Sequence, residues 1–165
     1  LLFVGRLEKE KNLYNLLDAV KNTPYGLDIA GQGRLKNNVE SYITKNDINA
    51  RLLGVIPNEK LPELYNRYPV YILPSLCEGM PKTLLEAMSS GRAVIASDID
   101  EISSLVVNGE SGLLCKTDKE SISSAILTVM EDVDLRRKFG AAARKFILDN
   151  CSLSKIIEKE VLLYK

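Results

Sequence analysis

Two carboxylates, Glu78 and Glu86, stand with seven residues between them in residues 75–91, SLCEGMPKTLLEAMSSG. A carboxylate among apolar and small residues needs a partner, because an unpaired charge is costly to bury. When ionised it only accepts hydrogen bonds, so the hydroxyls of a sugar suit it well. Pro81, between the two, suits the first position of a helix, where its missing N–H is no loss. The N–H groups of Lys82, Thr83 and Leu84 then face out of a positive helix end, a seat for phosphate. Glu86 lies about 6 Å further along at ~1.5 Å per residue, close to the span from a nucleotide's phosphate to its ribose hydroxyls. Glu78 sits on the other side of that seat, placed for hydroxyls of a sugar beyond the phosphates. The spacing fits a plainer reading equally well. In that reading Glu86 pairs with Lys82 at i−4 and Glu78 is a solvated loop residue.

Arg6 and Lys11 flank the loop GRLEKEK. Arginine offers a two-pronged grip on phosphate and lysine a mobile point charge; a solvated charged loop would use the same residues. Gly31-Gln32-Gly33 has no third glycine at the dinucleotide-fingerprint position, and no stretch matches a P-loop. Asp98-Ile99-Asp100 has the form that can hold a divalent cation, or a solvated turn or helix cap. With two cations and a helix end available for phosphates, no metal is expected.

The sequence contains no histidine, which excludes a histidine base, a histidine metal ligand and any Ser–His or Cys–His pair. Cys77, Cys115 and Cys151 are odd in number and lack metal-ligand spacing, and read as reduced thiols of a cytoplasmic protein. Lys plus Arg and Asp plus Glu balance at 22 each, so no overall field draws the molecule to nucleic acid. No apolar run approaches the ~20 residues of a membrane span, and no signal peptide is evident. The abrupt opening on LLFVG suggests a start inside a larger protein.

These side chains need elements to position them. Apolar runs bounded by turn residues predict strands over 1–4, 27–30, 51–53, 70–73, 93–96 and 113–115. Helices are expected over 12–22, capped by Asn12, from GQG to about 46, and after a cap at Asn58. Further helices are expected over 101–106, 118–131, 134–149 and 152–164. Strands alternating with helices give one α/β domain over 1–165, a doubly wound, Rossmann-like, parallel six-stranded sheet with helices on both faces. In such a sheet ligands lie at the C-terminal strand ends, near the point where strand order reverses. The loops carrying Arg6, Lys11 and Glu78 are at such ends.

Laid out this way, nearly the whole chain resembles the C-terminal domain of family 4 glycosyltransferases, which have the GT-B fold. The likeness runs through FVGRL, GQG, LLGVIPNEKLPELY, PSLCEGMPKTLLEAMSSGRAVIASD and NGESGLL, and the E-x7-E element is its most specific part. The resemblance implies that Arg6, Lys11 and Glu78 are catalytic. The first two would lie on the donor diphosphate and Glu78 on the donor sugar. It puts Glu86 on the ribose, Val55 and Ile56 against the base, and the backbone of Gly79, Met80 and Pro81 around the sugar. Lys82 and Thr83 would offer N–H groups to the phosphates. It also implies a retaining, metal-independent transferase with no cofactor. The donor would be a nucleotide sugar such as a UDP- or GDP-sugar, and the acceptor a glycan or lipid. The acceptor would be held by an N-terminal domain absent from this chain. The protein would be cytoplasmic, with peripheral membrane association open, and this domain alone would bind donor with little or no transfer.

The sequence departs from the family pattern at Asn12, where glycine is frequent, at Asp100-Glu101 in place of Gly-Gly, and at Ser104 in place of glutamate. Two rival expectations stand beside this one. One is a sugar-nucleotide epimerase of the same architecture; the other is a degenerate, non-catalytic interaction module that binds no nucleotide.

Overall fold

The computed structural model of the chain describes residues 1–151, 155 and 157. The helix expected over 152–164 lies outside the described residues. Four apolar runs form strands that are buried almost throughout: β1 (Leu2–Val4), β2 (Leu27–Ala30), β4 (Val70–Leu73) and β5 (Ala93–Ser97). Continuous burial without alternation is what a parallel sheet covered on both faces requires. The edges are β3 (Ala50–Gly54) and β6 (Leu113–Cys115), both more exposed. Every strand pairing is parallel. The order is β3-β2-β1-β4-β5-β6, so the direction of winding reverses between β1 and β4.

The helices are α1 (Leu13–Lys21), α2 (Lys36–Lys45), α3 (Leu61–Asn66), α4 (Lys82–Ser89), α5 (Asp100–Ser103), α6 (Lys119–Glu131) and α7 (Val133–Asn150). Helical spacing puts Leu13, Leu16, Leu17 and Val20 on the buried face of α1, which packs against α6, while α4 packs against α7. Asp118 and Asp132 cap α6 and α7, each accepting a 2.8 Å hydrogen bond from a backbone N–H in the first turn. No helix among the described residues is long and apolar enough to cross a membrane.

Three local expectations are corrected. Asn12 precedes α1 but does not cap it by its side chain, because its backbone is left-handed (φ 57°) rather than extended. Its amide nitrogen instead donates to the Pro74 and Thr117 carbonyls at 3.1 and 2.8 Å, tying the loops after β1, β4 and β6 together. The positive φ also explains why glycine suits this position, and asparagine is among the few residues that tolerate it. Asn58 opens a 3-10 turn (Asn58–Lys60) without a capping bond, and α3 starts only at Leu61. The helix expected over 101–106 is the single turn of α5.

Gly31-Gln32-Gly33 is a backbone-packing device. Gly31 has φ 140°, and a Cβ there would lie 1.9 Å from the Gly5 carbonyl oxygen. A Cβ on Gly33 would lie 2.4 Å from the Leu7 carbonyl oxygen. The two loops run against each other, with the Leu7 N–H donating to Gln32 and the Leu35 N–H donating to Leu7, both at 2.9 Å. This contact fixes the start of the segment that carries Arg6 and Lys11.

Candidate nucleotide-sugar site

A cleft of about 560 Å³ opens at the switch point between β1 and β4. Arg6 and Lys11 line it from the loop after β1, and Val55 and Ile56 from the loop after β3. Glu78, Gly79, Met80 and Pro81 line it from the loop after β4, and Lys82, Thr83 and Glu86 from α4. Residues far apart in sequence are thus gathered on one wall-to-wall surface by the strand order alone.

The two cations differ in kind. Lys11 ends a short 3-10 turn and is buried; its Nζ donates to Glu78 Oε1 at 2.6 Å, with side chains 11% and 7% exposed. Ser75 Oγ donates to the same oxygen at 2.6 Å. Ser75 is itself fully buried, and its carbonyl accepts from Ser97 Oγ at 2.6 Å. Glu78 is therefore no solvated loop residue; it is a held carboxylate whose charge is matched by Lys11. Arg6, by contrast, has a side chain 73% exposed and, among the described residues, pairs with Glu10 alone at 3.2 Å. Such a surface pair is weak, so the guanidinium can turn to an anion at little cost.

Glu86 has a different partner from Lys82. Tyr65 Oη donates to its Oε2 at 2.9 Å and lies 3.2 Å from the Thr83 carbonyl oxygen. The Tyr71 hydroxyl lies 2.7 Å from Thr83 Oγ1 and donates to the Val4 carbonyl at 3.3 Å. The two rings meet edge to face, with centroids 5.8 Å apart at 67°. Burial, foremost, pushes both phenols above their ordinary range; Tyr71 and Glu86 add to it at Tyr65, and the bond to Thr83 opposes it at Tyr71. Both remain protonated donors at neutral pH. Tyr65 was given no role from the sequence; the signal that could have found it is that a buried phenol must find a partner for its hydroxyl.

The start of α4 is one residue later than expected. Pro81 sits before the helix with φ −78° and ψ 70°, an inverse γ-turn in which the Lys82 N–H donates to the Met80 carbonyl at 2.8 Å. The Leu84 N–H donates to the Pro81 carbonyl at 3.0 Å. Among the described residues, only the Thr83 N–H of the three anticipated donors is left without a protein acceptor. Val55 and Met80 are 60% and 69% exposed, and a Cβ on Gly79 would meet nothing within 4 Å. The walls on either side of α4 thus have apolar surface and room for flat or ring-shaped groups.

Asp98 and Asp100 are exposed and do not line the cleft. Among the described residues no three His, Cys, Asp or Glu groups converge as a metal site would require. The three cysteines are unpaired, Cys77 exposed and Cys115 buried.

The model of the family described as glycosyl transferases group 1 matches residues 1–146. The chain belongs to that family. It is 31% identical to O-antigen chain mannosyltransferase B of Escherichia coli, over 94% of this chain and 44% of the relative. It is also 31% identical to the UDP-Gal:alpha-D-GlcNAc-diphosphoundecaprenol alpha-1,3-galactosyltransferase of Escherichia coli, over 98% and 44%. Among solved structures, sucrose-phosphate synthase from Thermosynechococcus elongatus superposes with a TM-score of 0.92 at 26% identity, covering 99% of this chain and 44% of that one. The structural neighbours of this group 1 glycosyltransferase chain are GT-B enzymes, so the Rossmann-like sheet expected from the sequence is the family's. The chain spans less than half the length of these relatives.

Proposed function

We propose that this chain is the donor-binding domain of a retaining, metal-independent glycosyltransferase that transfers a sugar from a nucleoside diphosphate sugar to a glycan or lipid-linked acceptor. One observation carries the reading. At the switch point, the start of α4 with its free Thr83 N–H lies between two carboxylates that are each held by a buried partner, Glu78 by Lys11 and Glu86 by Tyr65, with Arg6 lining the same cleft.

The diphosphate accepts from the Thr83 N–H, from the Lys82 N–H in competition with Met80, and from Arg6 and Lys11. Glu86 accepts from the ribose hydroxyls, and the base lies along Val55 and Ile56. The sugar extends past Gly79, Met80 and Pro81 toward Glu78. Charge builds on the departing diphosphate as the sugar leaves, and the fixed donors and cations oppose it; removing one such group typically costs ~10²–10³ in rate. The free Thr83 N–H and the mobile Arg6, with Lys11 shared between Glu78 and the phosphates, supply that stabilisation without a divalent ion. Retention follows the family resemblance. A UDP-sugar donor and a lipid-linked glycan acceptor are supported by the name of the galactosyltransferase relative. We place the protein in the cytoplasm, at the membrane surface where its acceptor is lipid-linked, with the acceptor held by a second, N-terminal domain.

Calorimetric titration with UDP-glucose, GDP-mannose and ADP-glucose tests this. One of them binds, EDTA leaves the affinity unchanged, and Arg6→Ala and Glu86→Ala each weaken it at least about tenfold. The chain by itself transfers little sugar to water or acceptor. Absence of binding by all three at millimolar concentration, or affinity unmoved by both substitutions, contradicts the proposal.

A further inference from the structure

Tyr65 is 1% exposed, and a buried phenol needs an acceptor. It has two within reach and one proton to give: Glu86 Oε2 at 2.9 Å and the Thr83 carbonyl at 3.2 Å. The closer, charged acceptor is the stronger one. Burial, with Tyr71 and Glu86 nearby, holds the Tyr65 proton well above the ordinary phenol range, so the donor persists at any physiological pH.

The two carboxylates of the cleft are therefore held in different ways. Glu78 is gripped by a cation, which cancels its charge. Glu86 has no cation in contact among the described residues, and Lys82, one turn earlier on α4, does not reach it. A neutral hydroxyl restrains the Glu86 carboxylate and leaves its full negative charge. Its Oε1 has no protein donor among the described residues, and the residue lines the cleft. The same tyrosine pair grips Thr83 from both sides, at its carbonyl and at its hydroxyl, and Thr83 carries the free N–H of the helix start.

We propose that Tyr65 is a positioning residue: its hydroxyl orients the Glu86 carboxylate toward paired ring hydroxyls, so that the site selects ribonucleoside over deoxyribonucleoside diphosphates. This rests on Glu86 being the ribose ligand. Without the Tyr65 hydroxyl, the carboxylate has further rotamers open to it, and ordering them on binding subtracts from the affinity for those hydroxyls alone.

The test compares UDP, GDP and ADP with their 2′,3′-dideoxy forms by calorimetry, using the full chain and its Tyr65→Phe and Glu86→Ala variants. In the wild-type chain the tightest ribonucleotide binds at least about tenfold better than its dideoxy form. Glu86→Ala brings that ratio close to one. Tyr65→Phe lowers the ratio about fivefold while dideoxy affinity stays within about twofold of wild type, with the thermal midpoint unchanged to within about 4 °C. If Tyr65→Phe keeps the ratio, or weakens both forms equally, the inference is overturned while a low ratio in Glu86→Ala still upholds the ribose role. If the wild-type chain binds both forms alike, or binds no nucleotide, the ribose role falls and the inference falls with it.

Discussion

Lys11 and Glu78 form a buried ion pair inside the cleft, and that fact governs what either substitution does. Removing one partner of a buried pair leaves the other charge unmatched, which typically costs ~3–5 kcal/mol. Lys11→Ala and Glu78→Ala are thus expected to lower stability by about 3 kcal/mol each, read as a fall in the urea midpoint. The double variant Lys11→Met with Glu78→Leu should recover most of that loss, because it removes both charges and keeps the volume. A lost activity in either single variant therefore has to be separated from lost folding, whereas Arg6, mostly exposed, can be removed with little effect on stability. At this scale the sequence was legible where type and spacing carried the chemistry: Arg6, Lys11, Glu78 and Glu86 all reach the cleft. What it did not reveal were their partners. Tyr65 meets Glu86 across 21 residues and Tyr71 meets Thr83 across 12, contacts created only by the packing of α3 and β4 against α4. Ser75, three residues from Glu78, was within reach of a local reading, but a serine in a loop has many ways to satisfy its hydroxyl.

The elements that matter most are a loop and a helix end. The loop after β1 is seated by Gly31 and Gly33, where backbone passes against backbone with no space for a Cβ. Gly31→Ala combines that clash with a strained positive φ and is expected to cost at least about 2 kcal/mol. Gly79→Ala, facing open space, should stay within about 0.5 kcal/mol in the same unfolding experiment, while it narrows the route along which the sugar is proposed to lie. Equal destabilisation by the two would contradict the role given to the GQG segment. The sequence showed glycines that lack a dinucleotide fingerprint but not the loop they press on, since Gly31 meets Gly5 and Gly33 meets Leu7, each 26 residues away. The start of α4 was legible to within one residue, and the difference is chemical: with Pro81 outside the helix, its γ-turn occupies the Lys82 N–H. Periodicity locates a helix, but its boundary is set by local hydrogen bonds that compete for the same donors.

For the whole molecule, the strand order is what turns scattered residues into a site. Apolar runs and their spacing specified six buried or edge strands and parallel crossovers, and the reversal between β1 and β4 then brought the first loop against the fourth. That part of the fold was readable because right-handed crossovers leave few alternatives. The finer placement of the D-x-D residues outside the cleft, and of Asn12 as a tie between three loops, depended on contacts that no local pattern encodes. The central claim is that a nucleoside diphosphate sugar lies in this cleft, across the start of α4. Backbone amide chemical shifts followed by NMR during titration with UDP-, GDP- and ADP-sugars test it most directly. The account predicts the largest changes at Lys82 and Thr83, at Gly5 and Arg6, and at Val55 and Ile56. Changes centred elsewhere, such as the surface between α1 and α2, or no changes with any of the three donors, would contradict it.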